Sequence, residues 1–94
     1  MNLPFTVKVF MDNSSQDAPW VAYNPELDVA SCGPTEKKAR ENLREALDIV
    51  LTGAKKDGNL EGLLINAGFT IKGKSVEAPK VIFENIPLPT LPNA

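Results

Sequence analysis

The first clear pattern along the chain is an alternation of apolar and polar residues. From Phe5 to Met11, apolar side chains occupy every second position, which is the spacing of a β-strand with one buried face. The β-branched and aromatic stretch Trp20–Asn24 predicts a second strand, and Pro25 ends it because proline cannot donate to a strand ladder. The short stretch 29–32, closed by Gly33 and Pro34, predicts a third strand.

Helical spacing follows the third strand. Thr35 is expected to cap the helix, because its hydroxyl can accept a hydrogen bond from an amide of the first turn. Apolar residues then recur on one face of a 3.6-residue period, while charged residues fill the opposite face. The apolar positions are Ala39, Leu43, Ala46, Leu47, Val50, Leu51 and Ala54. Gly58 is expected to end this helix.

The remaining residues predict shorter elements. Asn59 is expected to cap a second, shorter helix, with Gly68 as its C-terminal glycine. Residues 69–72 predict a brief extended piece, and the stretch KGKSVEAP predicts a loop. Residues 80–86 (KVIFENI) predict the last strand, which Pro87 ends.

This order of elements predicts a two-layer α+β fold, β-β-β-α-(α)-β. Three consecutive strands with short links favour an antiparallel meander, and the strand after the helix returns by a right-handed crossover, parallel to a neighbour. We therefore expect a mixed four-stranded sheet with one long helix packed on one face. Residues 1–86 are predicted to form this single domain, and residues 87–94 a proline-rich tail.

Composition and charge exclude several classes of function. The 94 residues, 43% of them hydrophobic, suit one globular domain and leave no room for a second core. The absence of histidine excludes Ser-His-Asp and Cys-His sites and any histidine-metal cluster. A net charge of -2 argues against a general nucleic-acid binder. The single cysteine, short apolar runs and lack of a signal-peptide pattern predict a cytoplasmic protein that does not associate with a membrane.

A family resemblance lies in the stretch WVAYNPELDVASCGPTEKKARENLREAL. It resembles the HicB-like antitoxin family, in which an aromatic residue and Val-Ala precede Pro-Glu-Leu, a serine precedes a glycine, and a threonine begins an alanine-rich helix. The matching positions are Trp20, Val21, Ala22, Pro25, Glu26, Leu27, Ser31, Gly33, Thr35, Ala39, Asn42, Glu45 and Ala46. With the flanking strands, the resemblance extends over residues 4–86.

The chain also departs from the family pattern. Asp28 and Val29 stand where the family usually has a glycine after Pro-Glu-Leu, and Lys38 stands where an acidic residue would complete a capping box. The loop 12–19 is longer and more polar than the usual Asp-Gly-Gly turn. After residue 86 the stretch PLPTLPNA cannot form the helix-turn-helix or ribbon-helix-helix segment with which such antitoxins often bind operator DNA, so direct DNA binding is not expected.

The resemblance implies a degenerate RNase H-like fold and a function without catalysis. Antitoxins of this family bind HicA, a small toxin that resembles a double-stranded-RNA-binding fold and cleaves mRNA, and they cover its nuclease surface. Residues 1–34 carry four acidic side chains and one basic one, which would suit a basic partner. Two alternatives remain open: an orphan homo-oligomeric module of the same fold without a toxin, and a residual metal-dependent nuclease.

No catalytic residue, metal ligand or cofactor is predicted. RNase H-type chemistry needs clustered carboxylates on a rigid platform, whereas the candidate acids here fall in turn-rich segments and favour solvated roles. These acids are Asp12, Asp17, Glu26 and Asp28. Cys32 is expected to be a small buried hydrophobe rather than a nucleophile. The helical cations, interleaved with glutamates, favour a solvated face over a nucleic-acid stripe.

The last prediction concerns self-association. One helix covers one face of a sheet, so large apolar groups on the other face predict a dimer or larger assembly, through that face or an edge strand. Coverage of this face by the short helix and the tail is the alternative. The residues expected to meet the helix are Phe5, Val7, Val9 and Met11. The residues predicted at a partner or oligomer interface are Phe10, Trp20, Tyr23, Glu26, Ile82 and Ile86.

Overall fold

Three strands, two helices and a small hairpin follow one another in the computed structural model of the chain, which describes residues 2–90. The strands β1 (Lys8–Met11), β2 (Trp20–Asn24) and β3 (Val29–Gly33) come first. The helices α1 (Glu36–Lys56) and α2 (Leu60–Asn66) follow, and then the strands β4 (Thr70–Lys72) and β5 (Ser75–Glu77). The α+β class and the order of the first five elements are therefore as predicted.

The strands β1, β2 and β3 form an antiparallel sheet in that order, which confirms the predicted meander. Cross-strand partners form rows, and successive rows face opposite sides of the sheet. Two successive rows are Phe10–Val21–Cys32 and Val9–Ala22–Ser31. The second row faces α1, because Ala22 is fully buried together with Ala39, Leu43 and Leu47 of that helix.

Helix α1 forms where the periodicity places it, and both of its ends are capped as expected. The Thr35 hydroxyl accepts from the Lys38 amide at 3.0 Å. Gly58 adopts a φ of 77° just beyond the last turn, a conformation that glycine takes without steric cost. Val50, predicted on the buried face, is instead exposed, since it borders the open groove between α1 and α2.

The stretch KGKSVEAP contains a strand, so its prediction as a loop is wrong. Ile71 of β4 pairs with Val76 of β5 in an antiparallel hairpin with a two-residue loop. Gly73 opens this loop with a φ of 58°, which suits a tight hairpin turn. The hairpin lies beside α2, where Leu64 and Phe69 are buried. Short strands of this kind leave little pattern in a sequence.

The predicted strand 80–86 and the mixed four-stranded sheet are also wrong. Residues 78–90 have no regular secondary structure, and all of residues 80–90, here called the apolar arm, are exposed. The sequence has strand propensity, but a strand also requires a neighbour, and no strand pairs with this segment within residues 2–90. Residues 91–94 of the predicted tail lie outside the described residues.

Candidate binding surface

The sheet has one face that no helix within residues 2–90 covers, here called the open face. By the strand register it carries Lys8, Phe10, Val21, Tyr23, Ala30 and Cys32. Phe10 is 40% exposed, and the Lys8 ammonium nitrogen lies 5.6 Å from the centroid of its ring. Val21 and Tyr23 are half-buried at the centre of the sheet. The open face is thus an apolar surface with an aromatic residue on each of two neighbouring strands.

Tyr23 is held at one end of the open face by the turn that follows β2. Its hydroxyl donates to Asp28 Oδ1 at 2.7 Å. This hydrogen bond raises the pKa of Tyr23, with smaller contributions from desolvation and from the charge of Asp28. Asp28 has a φ of 54°, in the left-handed region. Aspartate is one of the few residues other than glycine that adopt such a φ readily.

Glu26 has a structural role that the sequence did not predict. Its Oε1 accepts from the Thr6 amide at 2.6 Å and from Asn24 Nδ2 at 3.2 Å. Asn24 is fully buried, donates to the Thr6 carbonyl at 2.8 Å and accepts from the Leu27 amide at 2.8 Å. This network ties the N-terminal segment to the turn between β2 and β3. These bonds account for the position of Glu26 without contact to a partner protein. The prediction that Glu26 is a solvated loop acid is therefore wrong.

The loop between β1 and β2 places two further acids at the other end of the sheet. Asp12 Oδ1 accepts from the Ser14 amide at 2.9 Å. This bond and the Ser14 hydroxyl lower the pKa of Asp12. Asp17 is exposed in the same loop. The acids therefore flank the open face at its two ends, and among residues 2–90 no group of three or more Asp, Glu, His or Cys side chains is placed to hold a metal.

The six predicted interface residues do not form one surface. Phe10 and Tyr23 lie on the open face, whereas Trp20 lies on the opposite face, half-buried against the core that α1 covers. Ile82 and Ile86 belong to the apolar arm, 59% and 83% exposed. The residues missed on the open face are Lys8, Val21, Ala30 and Cys32; the period-two alternation could have placed them once the strand register was known.

Cys32 is exposed, so its predicted burial is wrong. It pairs with Val21 across β2 and β3 and lies on the open face. Its backbone carbonyl accepts from Asn42 Nδ2 at 2.8 Å, which ties the outer side of β3 to α1. Position at the end of a strand says little about burial until the covered face is known.

A groove of about 640 Å³ runs between the N-terminal segment and α1, on the other side of the molecule. Its apolar lining includes Leu3, Phe5, Leu27, Leu47 and Leu51, and its charged lining is Arg44 and Asp48. The charged pair lies on the exposed part of the helix. Neither a metal-ligand set nor a nucleophile paired with a base comes together there.

Comparison with known proteins adds no assignment. No family model, curated protein or solved structure matches this chain. Among the helices within residues 2–90, none combines the length and apolar character needed to cross a bilayer.

Proposed function

We propose that this chain is a HicB-like antitoxin core that binds a small basic HicA-type toxin and occludes its RNA-cleaving surface, without catalysis of its own. The proposal includes the degenerate RNase H-like assignment of the sheet, a cytoplasmic location and self-association into a dimer or larger assembly. The observation that carries it is the open face, an apolar strip flanked by acids at both ends.

The chemistry of the open face supports binding rather than reaction. Phe10 and Tyr23 offer flat apolar area, and aromatic residues are favoured where interfaces lose their water. Asp12 and Asp28 at its two ends present negative charge to a basic partner. Charges at the rim of an interface mainly speed association and orient the partners, and this effect weakens as salt is added.

Occlusion needs only that the bound surface of the toxin coincides with its RNA-binding surface. A nuclease that binds RNA carries basic side chains where phosphates lie. An acidic rim competes for the same side chains, while the apolar centre gains free energy as water leaves. No bond is made or broken, so one molecule of antitoxin silences one molecule of toxin for as long as the complex lasts.

The test is inhibition of a purified HicA-type toxin encoded beside this chain. The wild-type chain is expected to stop RNA cleavage at an equimolar ratio. Phe10→Asp replaces the aromatic side chain that β1 contributes to the open face with a charge and should weaken inhibition by tenfold or more. Ile49→Asp is the matched control, because Ile49 is 73% exposed on α1, away from that face. Full cleavage at every ratio of wild-type chain to toxin would refute the proposal.

A second function, an orphan homo-oligomeric module without a toxin, is favoured by one observation. The apolar arm exposes Val81, Ile82, Phe83, Ile86 and Leu88 in a single copy. A protein whose function is to form a homo-oligomer would expose apolar side chains of this kind whether or not a toxin partner exists. Absence of any small basic protein encoded nearby, together with a stable oligomer of the purified chain, would favour this second function.

The residual nuclease is tested directly. The purified chain, supplied with magnesium or manganese, is expected to leave both RNA and an RNA–DNA hybrid intact, because the four candidate acids are divided between opposite ends of the sheet and no group of three or more within residues 2–90 is placed to hold a metal. Cleavage that disappears in Asp12→Asn would overturn the non-catalytic proposal.

A further inference from the structure

The apolar arm is the feature of the molecule that the fold leaves unexplained. Phe83 is 92% exposed and Ile86 83% exposed, so their side chains make almost no contact within one copy. The residue before the arm is nevertheless held in place. Pro79 lies close to Gly68, just beyond the end of α2: a Cβ added to Gly68 would be 3.3 Å from the Cβ of Pro79. Apolar side chains displayed in water in this way usually mark a surface that another chain covers.

The first part of the arm, residues 80–86, has the sequence of a strand. Val81 and Phe83 alternate with Ile82 and Glu84, so that in an extended backbone each side would carry large apolar groups. The β-branched and aromatic content favours a sheet, and proline is absent until Pro87. Its backbone lacks only a neighbouring strand.

Strand β1 is the sheet edge most accessible for pairing with residues 80–86. It pairs with β2 on one side, and no strand of residues 2–90 lies on its other side. Helix α1 packs over β2 and β3 rather than β1, which leaves Met11 of β1 51% exposed. The opposite edge is less available, because the side chain of Asn42 already occupies a carbonyl of β3.

The shape of the molecule points to a second copy as the source of the added strand. The chain measures 54 Å in its longest dimension, with a radius of gyration of 16.4 Å, against roughly 12 Å for a compact domain of this length. The arm therefore extends the molecule rather than closing on it. A second copy supplies one arm and one free edge, so a single association satisfies both unpaired features in both copies.

We propose that residues 80–86 of each copy add as a strand to β1 of the other, and that the chain thereby forms a dimer by exchange of arms. The dimer is closed, because each copy donates one strand and accepts one. Ladder hydrogen bonds would engage the free backbone groups of β1, and the apolar side chains of the arm would cover Met11 and its neighbours. The proposal rests on the self-association part of the proposed function and names the surfaces that carry it.

Light scattering on the full chain at micromolar concentrations tests the exchange. The wild type is expected to have twice the 10.2 kDa mass of one chain. Phe83→Asp should raise the dimer dissociation constant tenfold or more, since it places a charge in the paired segment. Leu88→Asp is the matched control: Leu88 is 74% exposed but lies beyond the paired segment, and its variant should remain a dimer. Both positions are exposed in one copy, so circular dichroism should show both variants folded.

The outcomes separate this proposal from those it rests on. A monomer at every concentration would overturn both self-association and arm exchange. A dimer that survives Phe83→Asp but is lost in Phe10→Asp would overturn arm exchange alone, because the open face would then be the interface. Inhibition of the toxin is measured separately and can fail or succeed in either case.

Disulfide trapping identifies the edge that accepts the arm. Phe10 on β1 and Cys32 on β3 share one row of the open face, at its two edges. The donor chain carries Phe83→Cys and Cys32→Ser. A second donor, with Ile82→Cys and Cys32→Ser, probes the other side of the arm. Each donor is mixed with one of two acceptors. The acceptor with Phe10→Cys and Cys32→Ser should give a mixed disulfide-linked dimer, and the wild-type acceptor should not. Trapping on wild-type Cys32 alone, or on neither acceptor, would overturn β1 as the site.

Discussion

Gly33 and Ala39 bring the end of β3 and the first turns of α1 into direct contact. A Cβ at Gly33 would lie 2.7 Å from the Ala39 backbone nitrogen and 3.0 Å from the Lys38 carbonyl carbon. Both of these neighbours are backbone atoms, which cannot rotate out of the way. Gly33 is buried and Ala39 is fully buried, so the contact fixes the distance between the sheet and the helix.

Gly33→Ala should therefore destabilise the fold by about 2 kcal/mol, the usual cost of forcing an extra carbon into a packed site. Gly53→Ala is the control: Gly53 lies inside α1 and a Cβ there meets nothing within 4 Å. Alanine in a helix interior is better than glycine by about 0.5–1 kcal/mol, so this variant should be more stable than the wild type. Urea unfolding measures both. Equal stability of Gly33→Ala and the wild type would show that the helix can shift away.

The hydrogen bond from Tyr23 to Asp28 predicts the titration of the only tyrosine in the chain. Because the protonated phenol donates to a carboxylate, the pKa of Tyr23 is raised in the folded state. The stability contributed by this bond is present below the unfolded-state pKa of about 10 and is lost as pH rises through the higher folded-state value. Tyrosinate absorbance during a pH titration measures the pKa of Tyr23 directly.

Asp28→Asn should bring the pKa of Tyr23 back towards its ordinary value, because the acceptor loses its charge. Asp17→Asn removes the same charge from an exposed loop at the other end of the sheet and should leave the titration unchanged. A wild-type Tyr23 that titrates as it does in the urea-unfolded chain would contradict the bond.

Among the polar residues of the turn after β2, Asn24 should contribute most to the free energy of unfolding. Asn24→Ala leaves the Leu27 amide and the Thr6 carbonyl without their partner, and the expected loss is about 1–3 kcal/mol. Hydrogen exchange of the Leu27 amide should also become faster. Asn13→Ala, in the exposed loop after β1, is the control and should change stability by less than about 0.5 kcal/mol. Equal losses at the two sites would mean that the buried network adds no stability.

Cys32 should react with a thiol reagent in the native chain without denaturant, because it is exposed on the open face. Its reaction rate also distinguishes the two modes of self-association. Pairing of the arm with β1 leaves Cys32 at the far edge of the sheet, so the rate should not depend on protein concentration. A rate that falls as the chain associates would indicate an interface on the open face instead. Cys32→Ser supplies the baseline.

Local chemistry let the sequence predict the first part of the fold. The meander of β1 to β3 follows from alternation broken by turn residues, and α1 follows from a 3.6-residue period between Thr35 and Gly58. Each of these features depends on residues close together in the chain. Even the capping hydrogen bond at Thr35 could be written down beforehand, because it joins positions three residues apart.

The candidate surface was less predictable, because it depends on which sheet face the helix covers. Phe10 and Trp20 are large aromatic residues of neighbouring strands, yet the register places them on opposite faces, so Trp20 packs on the core and Phe10 does not. Cys32 is exposed for the same reason. The bonds of Glu26 to Thr6 and of Tyr23 to Asp28 join segments or turns whose geometry no pattern specifies.

The sequence by itself determined the three strands of the meander, the two helices that follow them and the capped ends of α1, since those choices are made by neighbouring residues. Only the tertiary structure decided whether residues 80–86 form a strand. Their strand propensity is plain in the sequence, but a strand becomes stable only against a partner, and one copy supplies none within residues 2–90. Pairing is a relation between distant segments, or between two chains, and the composition of one segment cannot decide it.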